Sequence, residues 1–142
     1  MQALSSKKIQ VKESKHAKLL KVENQPVLII EATSGFIPFE DFKLLFAEVG
    51  EIVKGMKITK LIFDKRQLTV FHQPSMQWYF TEWKEDMYKL GLMTHRKILP
   101  KDDLFRHSVK VGREKISDQF PKAVFHKLDI QYAETVEEAI AR

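Results

Sequence analysis

The sequence predicts one α/β domain: a mixed, mostly parallel sheet, about four helices, and antiparallel strands at the N-terminal side. Short apolar runs alternate with stretches of helical spacing from about Val27 onward, the pattern of strands joined by helical crossovers. Upstream, two strand-like segments are separated by only "ENQP", too short for anything but an antiparallel turn. The 142 residues carry no internal repeat, low-complexity tract or linker, and that length buries a single core without disulfides or metals. Residues 1–22 read as a basic N-terminal segment forming an edge strand, and 23–142 as the domain.

Taken in order, "KKIQVKES" (7–14) alternates Ile9 and Val11 with polar neighbours and predicts a first strand. "AKLLKVENQPVLIIEA" predicts two more, the second an apolar run from Val27 to Glu31. In "PFEDFKLLFAEVGEIVKG" (38–55), Phe39, Phe42, Leu45, Phe46, Val49, Ile52 and Val53 recur at helical spacing. Pro38 suits the first helical position, Glu40 and Asp41 its positive end, and Gly55 its stop. "KLIFD" (60–64) is a short continuous apolar run, expected of a strand covered on both faces. A second helix opens at Ser75 after Pro74, with Met76, Phe80, Trp83, Met87 and Leu90 as its apolar stripe and Gly91 at its end. "MTHRKIL" (93–99) predicts the next strand. A third helix follows Asp102 and Asp103, with Phe105, Val109, Ile116 and Phe120 on one side and Gly112 at a point of close packing. "KAVFHKLDI" (122–130) predicts the closing strand. "TVEEAIAR" begins with a capping box, Thr135 and Glu138, and predicts a short last helix.

The chain contains no cysteine, which excludes disulfides, thiolate metal sites and cysteine nucleophiles and fits a cytoplasmic protein. No apolar run approaches a membrane span, and the N-terminus lacks an apolar signal-peptide core, so neither insertion nor secretion is expected. The net charge of +5 is local: residues 1–22 hold six lysines and one acid, and the remaining chain balances. Such a segment suits an anionic lipid or nucleic-acid surface. Lysines spaced along an edge strand also discourage pairing with other chains. Without interleaved aromatics the second reading is favoured, and no specific nucleic-acid partner is expected.

Five histidines are scattered without metal-binding spacing, and no HExxH, phosphate-binding glycine loop or GxSxG elbow occurs. No metal and no cofactor is therefore expected. Asp64 ends the fourth predicted strand, where ligands bind in parallel sheets, with Arg66 beside it and His72 nearby. An enzyme using that corner is one alternative. "FDKRQ" lacks a second acid, however, so an ion pair or a capped turn is the favoured role. Ser75, at a helix start, suits either an N-cap or a regulatory phosphate. Trp78 lies off the apolar stripe, where it would anchor a partner or pack under a loop.

The order of "VLIIEATSGFIPFEDFKLLF", "ITKLIFDKR", "SMQWYFTEWKEDMYKLGL" and "FHKLDIQYAETVEEAIA" resembles the SpoIIAA-like family of small bacterial proteins, related to STAS domains and to the CRAL-TRIO lipid-binding fold. The resemblance implies a STAS-like, mixed and mostly parallel sheet of four to five strands with helices mainly on one face, no enzymatic activity, and a cavity between helices and sheet. It also implies a phosphorylatable residue near Ser75, although this chain has neither the preceding Asp nor the following Gly of that motif. The expected function is a non-enzymatic regulatory or ligand-binding module. It would act through a protein partner or a small apolar ligand at a corner comprising Asp64, Arg66, Ser75 and Trp78. Self-association as a homodimer, through a sheet edge or helix face, fits the same picture.

Overall fold

A computed structural model describes residues 7–142; the first six residues of the basic N-terminal segment lie outside the described residues. Six strands form one sheet in the order of the chain: β1 (Lys8–Glu13), β2 (Ala17–Val22), β3 (Val27–Ala32), β4 (Lys60–Asp64), β5 (Thr94–Ile98) and β6 (Asp129–Tyr132). β1, β2 and β3 pair antiparallel, and β3 through β6 run parallel. The sheet is thus mixed and mostly parallel, with six strands, the number read along the chain, rather than the four to five that the resemblance implies, because both N-terminal strands join it. Asn24, at φ 64°, takes the left-handed backbone that the tight β2–β3 turn requires.

Crossovers that always step to the next strand, with one hand, deliver their helices to one face. That face carries α1 (Phe39–Met56), a composite helix, and α4 (Asp103–Gln119). The composite helix runs as α2 (Gln73–Trp78), a π turn (Tyr79–Trp83) and α3 (Lys84–Tyr88). Phe42, Phe46, Phe63, Tyr79 and Trp83 meet there, with the Phe46 ring centroid 4.6 Å from Tyr79 and 4.9 Å from Trp83. The Trp83 indole donates to the Phe46 carbonyl at 2.7 Å, so the largest ring buries its only donor satisfied. Each such side chain contributes about 1.5–3 kcal/mol by burial. The opposite face holds a smaller core of Val22, Ile29, Ile62 and Ile98, covered by the short helix α5 (Val136–Ala141).

Three local expectations are corrected. Helix α1 stops not at Gly55 but after Met56, where Lys57 adopts the left-handed conformation and its N–H bonds the Val53 carbonyl. The second helix begins at Gln73, with His72 as its cap; Ser75 lies inside its first turn. The segment 122–130 is not one strand: Val124–Lys127 forms a 3₁₀ turn that buries Phe125, and β6 starts only at Asp129. One tight helical turn buries an aromatic as readily as strand alternation does, so the pattern is ambiguous over so few residues. Among the described residues, no helix is long and apolar enough to cross a membrane.

Candidate functional site

Alternation along β4 sends Leu61 and Phe63 to the helix-covered face and Ile62 and Asp64 to the α5 face. The expected corner is therefore split across the sheet. Asp64, 4 % exposed, is held by Arg66 through both carboxylate oxygens: Nε to Oδ1 at 2.9 Å and Nη2 to Oδ2 at 2.7 Å, with the Arg66 backbone N–H also on Oδ1. This bidentate pair closes the turn after β4 and leaves the carboxylate engaged on both sides. A cavity of about 300 Å³ beside it is lined by Glu31, Thr33 and Gln67.

Ser75 belongs to the other face. It is buried, and its hydroxyl meets His72 Nδ1 at 2.8 Å, the same ring nitrogen that accepts from the Ser75 amide at 3.3 Å. Both borders of a cavity of about 50 Å³ come from these residues, with Phe36, Leu68, Phe71, Lys65 and Tyr79 completing it. Trp78 is half-buried, edge-on to Phe42 at 6.0 Å, and so packs between the second helix and α1. Asp64 and Arg66 are one unit, Ser75 and Trp78 another.

A Ser–His–Asp chain occurs elsewhere: His16 bonds Ser34 Oγ through Nδ1 and Asp41 Oδ2 through Nε2, each at 2.9 Å. The His16 hydrogen bond, with help from Lys15, holds the Asp41 carboxyl below its ordinary range. Ser34 donates its own proton to the Phe36 carbonyl at 3.2 Å, and the cavity beside His16 is not lined by Ser34. The chain ties the end of β3 to the start of α1. Among the described residues, no group of three potential ligands gathers as a metal site. Several N-terminal lysines pair with acids on the surface: Lys8 reaches Glu137 at 3.1 Å, Lys12 reaches Glu48 at 3.5 Å and Lys15 reaches Asp41 at 3.6 Å.

The feature that sequence reasoning missed is in β5. Its core reads His95-Arg96-Lys97, and all three residues are at most 2 % exposed. Arg96 faces α5 and is held through its two terminal nitrogens, which donate to the carbonyls of His95, Asp129 and Arg142 and to the Asp129 carboxylate at 3.0 Å, while among the described residues its Nε has no partner. His95 and Lys97 face the helices. His95 Nδ1 shares a hydrogen bond of 2.9 Å with Nζ of Lys84, a residue that is 0 % exposed. Lys84 Nζ lies 4.2 Å over the Tyr79 ring, and Lys97 Nζ lies 4.0 Å over the Phe80 ring. Neither Lys97 Nζ nor His95 Nε2 has a hydrogen-bond partner.

The π turn places Lys84 there. Its N–H reaches back five residues to the Tyr79 carbonyl, and the extra residue in the turn lets Tyr79, Phe80, Trp83 and Lys84 all face inward. Desolvation, then repulsion from neighbouring cations, drives Lys84, His95 and Lys97 well below their ordinary pKa values. Lys65, just past β4, tucks its amine 4.8 Å over the Phe63 ring although part of its stem is exposed, and burial lowers it to about 8. Arg113 from α4 adds a further cation, 5.9 Å from the Phe80 ring. Among the described residues, no carboxylate pairs with Lys84, His95 or Lys97, and the charges that shift them are all cationic.

Arg113 also borders a groove. Between α4 and the carboxyl ends of β5 and β6 lies a cavity of about 530 Å³ with Leu99, Tyr132, Ala133 and Glu134 on the sheet side and Arg106, Lys110, Glu114 and Ser117 on the helix side. The guanidinium of Arg113 reaches the Tyr132 hydroxyl at 3.4 Å across it, and Arg106 pairs with Glu134 at 3.2 Å. The volume is that of a site for a small organic molecule. No protein-family model matches this chain, and neither curated proteins nor solved structures give a match.

Proposed function

We propose that the protein is a non-enzymatic ligand-binding module of the SpoIIAA-like kind. Its ligand is a small molecule with an apolar body and an acidic group, held between α4 and the ends of β5 and β6. One observation carries this reading: the 530 Å³ groove combines an apolar floor of Leu99, Tyr132 and Ala133 with three cations, Arg106, Lys110 and Arg113, against two acids, Glu114 and Glu134. Arg106 pairs with Glu134, while no ion pair holds Lys110 or Arg113 among the described residues. The groove opens at the carboxyl ends of parallel strands, where α/β sheets generally bind ligands. A purely apolar ligand would leave those cations desolvated without a partner, so the acidic group is part of the reading.

Native mass spectrometry of the purified protein, compared with its denatured mass, tests for a retained ligand; the expected result is an excess mass that disappears on denaturation. The dye 8-anilinonaphthalene-1-sulfonate, an apolar body with one anionic group, tests the groove directly. Its binding should weaken roughly tenfold in Arg113→Ala, the loss of one charge-assisted contact of about 1.5 kcal/mol. A bare mass in both states together with no saturable dye binding would sink the proposal.

A further inference from the structure

The groove explains Arg113 and Lys110 but not the buried basic side chains behind them. A buried ammonium without a counter-ion costs several kcal/mol. A cation–π contact returns about 0.5–2 kcal/mol. The Tyr79 and Phe80 rings therefore do not offset the burial of Lys84 and Lys97. A core that only needed filling would carry leucine or methionine at these positions, as β3 and β4 carry Leu28, Ile30, Leu61 and Phe63 on the same face.

Donors, moreover, are left without acceptors. With Lys84 donating to His95 Nδ1, the ring proton sits on Nε2, which meets nothing, and the Lys97 amine likewise has no partner. Further basic groups approach from separate elements: Lys65 from the end of β4 and Arg113 from α4. The composite helix departs from α geometry at the turn that brings in Lys84. Such π turns recur at functional sites.

We infer that Lys65, Lys84, His95, Lys97 and Arg113 form an internal binding site for a phosphate group. Donors that converge from β4, β5, the composite helix and α4 match an anion with acceptor oxygens on several sides and up to two negative charges. A planar carboxylate, with two oxygens and one charge, would leave several of them unmatched. Of the outer cations, Lys65 borders the 50 Å³ cavity beneath the β4–α2 loop and Arg113 borders the 530 Å³ groove; neither cavity is lined by Lys84, His95 or Lys97, so an anion reaches them only when the outer side chains move aside. Both are partly exposed, whereas Lys84 and Lys97 are enclosed within the core. The inference deepens the ligand-binding reading and rests on it only for the route of entry. The phosphate belongs either to a free ion or to an ester whose body fills the groove.

The test is thermal unfolding of the full chain in rising inorganic phosphate, with sodium chloride balancing the ionic strength at fixed pH. At a hundredfold excess over Kd, the expected rise in Tm is on the order of 5–10 °C. Lys97→Met, isosteric and apolar, should raise the Tm in phosphate-free buffer and lose the phosphate response; Lys84→Met should lose the response too. Lys115→Gln, at an exposed lysine of α4, should keep it. Glycerol 3-phosphate replaces inorganic phosphate in a second arm. Tighter binding of the ester assigns the site to the head of a groove ligand, and equal binding assigns it to the free ion. A Tm that responds no more to phosphate than to chloride, or a response retained in Lys97→Met, overturns the inference. Because the dye assay reads the groove and this titration reads the cluster, failure of one is distinguishable from failure of the other.

Discussion

Lys97 occupies a position where an interior strand ordinarily carries valine or isoleucine, and its amine has nothing to bond. The charges facing the cluster are Lys65, Lys84, His95, Lys97 and Arg113, with Tyr79 alongside and Arg96 behind His95 on the other face. Unfolding returns Lys84 and Lys97 to the ordinary value of 10.5 from far below it, and Lys65 from about 8. Between the folded and unfolded values the unfolded chain binds more protons, so stability rises with pH. The contribution is complete only above the ordinary lysine value of 10.5 and is lost as pH falls toward the folded values. His95 adds to the slope below its ordinary 6.5, and Tyr79, raised by burial, acts in the opposite sense above its ordinary 10.0. In phosphate-free buffer, the stability from urea unfolding should therefore climb between pH 7 and 9. Each lysine on its slope contributes up to about 1.4 kcal/mol per pH unit, and Lys97→Met should remove one share. A wild-type profile that is flat over this range, or no flatter in the variant, would show that these amines do not titrate as their surroundings dictate.

At the scale of elements, the helices fit the sequence best because their signals are redundant. In α1, apolar spacing and the acidic first turn agree, and in α4 Asp102 accepts from the amides of Leu104 and Phe105. Gly112 was legible as a close contact: a Cβ there would meet the Gln73 carboxamide oxygen, at the flexible end of that side chain, and the Phe71 ring at 2.8 Å, on the loop that precedes the composite helix. Gly112→Ala should destabilise the fold by about 1–3 kcal/mol through that overlap, measured by denaturant unfolding. Phe71→Leu should recover part of the loss; an unchanged midpoint in Gly112→Ala would mean that the loop yields freely. Elements whose signals conflict were the ones misplaced. Residues 122–130 satisfy strand alternation and a 3₁₀ turn alike. The π turn left no mark, because one inserted residue shifts the apolar stripe by less than the stripe's own width. The site was readable in one phrase, "THRKIL": a strand with neighbours on both sides should read as apolar, and three successive basic residues there violate that rule. Placing the phrase in an interior strand required the pairing of β5 with β6, and β6 was the strand set too early.

For the molecule as a whole, the sheet runs β1 to β6 without a reversal of order. Central strands β3 and β4 are paired on both sides, and their inward residues Leu28, Ile29, Ile30, Leu61 and Ile62 are at most 1 % exposed. β1 and β6 each have one neighbour. Amide hydrogen exchange should accordingly be slowest at Ile29, Ile30 and Ile62 and roughly tenfold or more faster along β1 and β6. Equal protection across all six strands would mean that the sheet opens only as one unit. The same order explains why the groove lies beside β6. A sheet whose order reverses opens a crevice at the reversal, and this one has no reversal to use. It also bears on synthesis. As the chain leaves the ribosome, each new strand finds its neighbour already made, and none must be threaded between two that have closed. The nascent sheet can grow by its exposed edge at the pace of translation, about 5–20 residues per second. The basic residues of β5 then become enclosed only when the last third of the chain arrives to cover them.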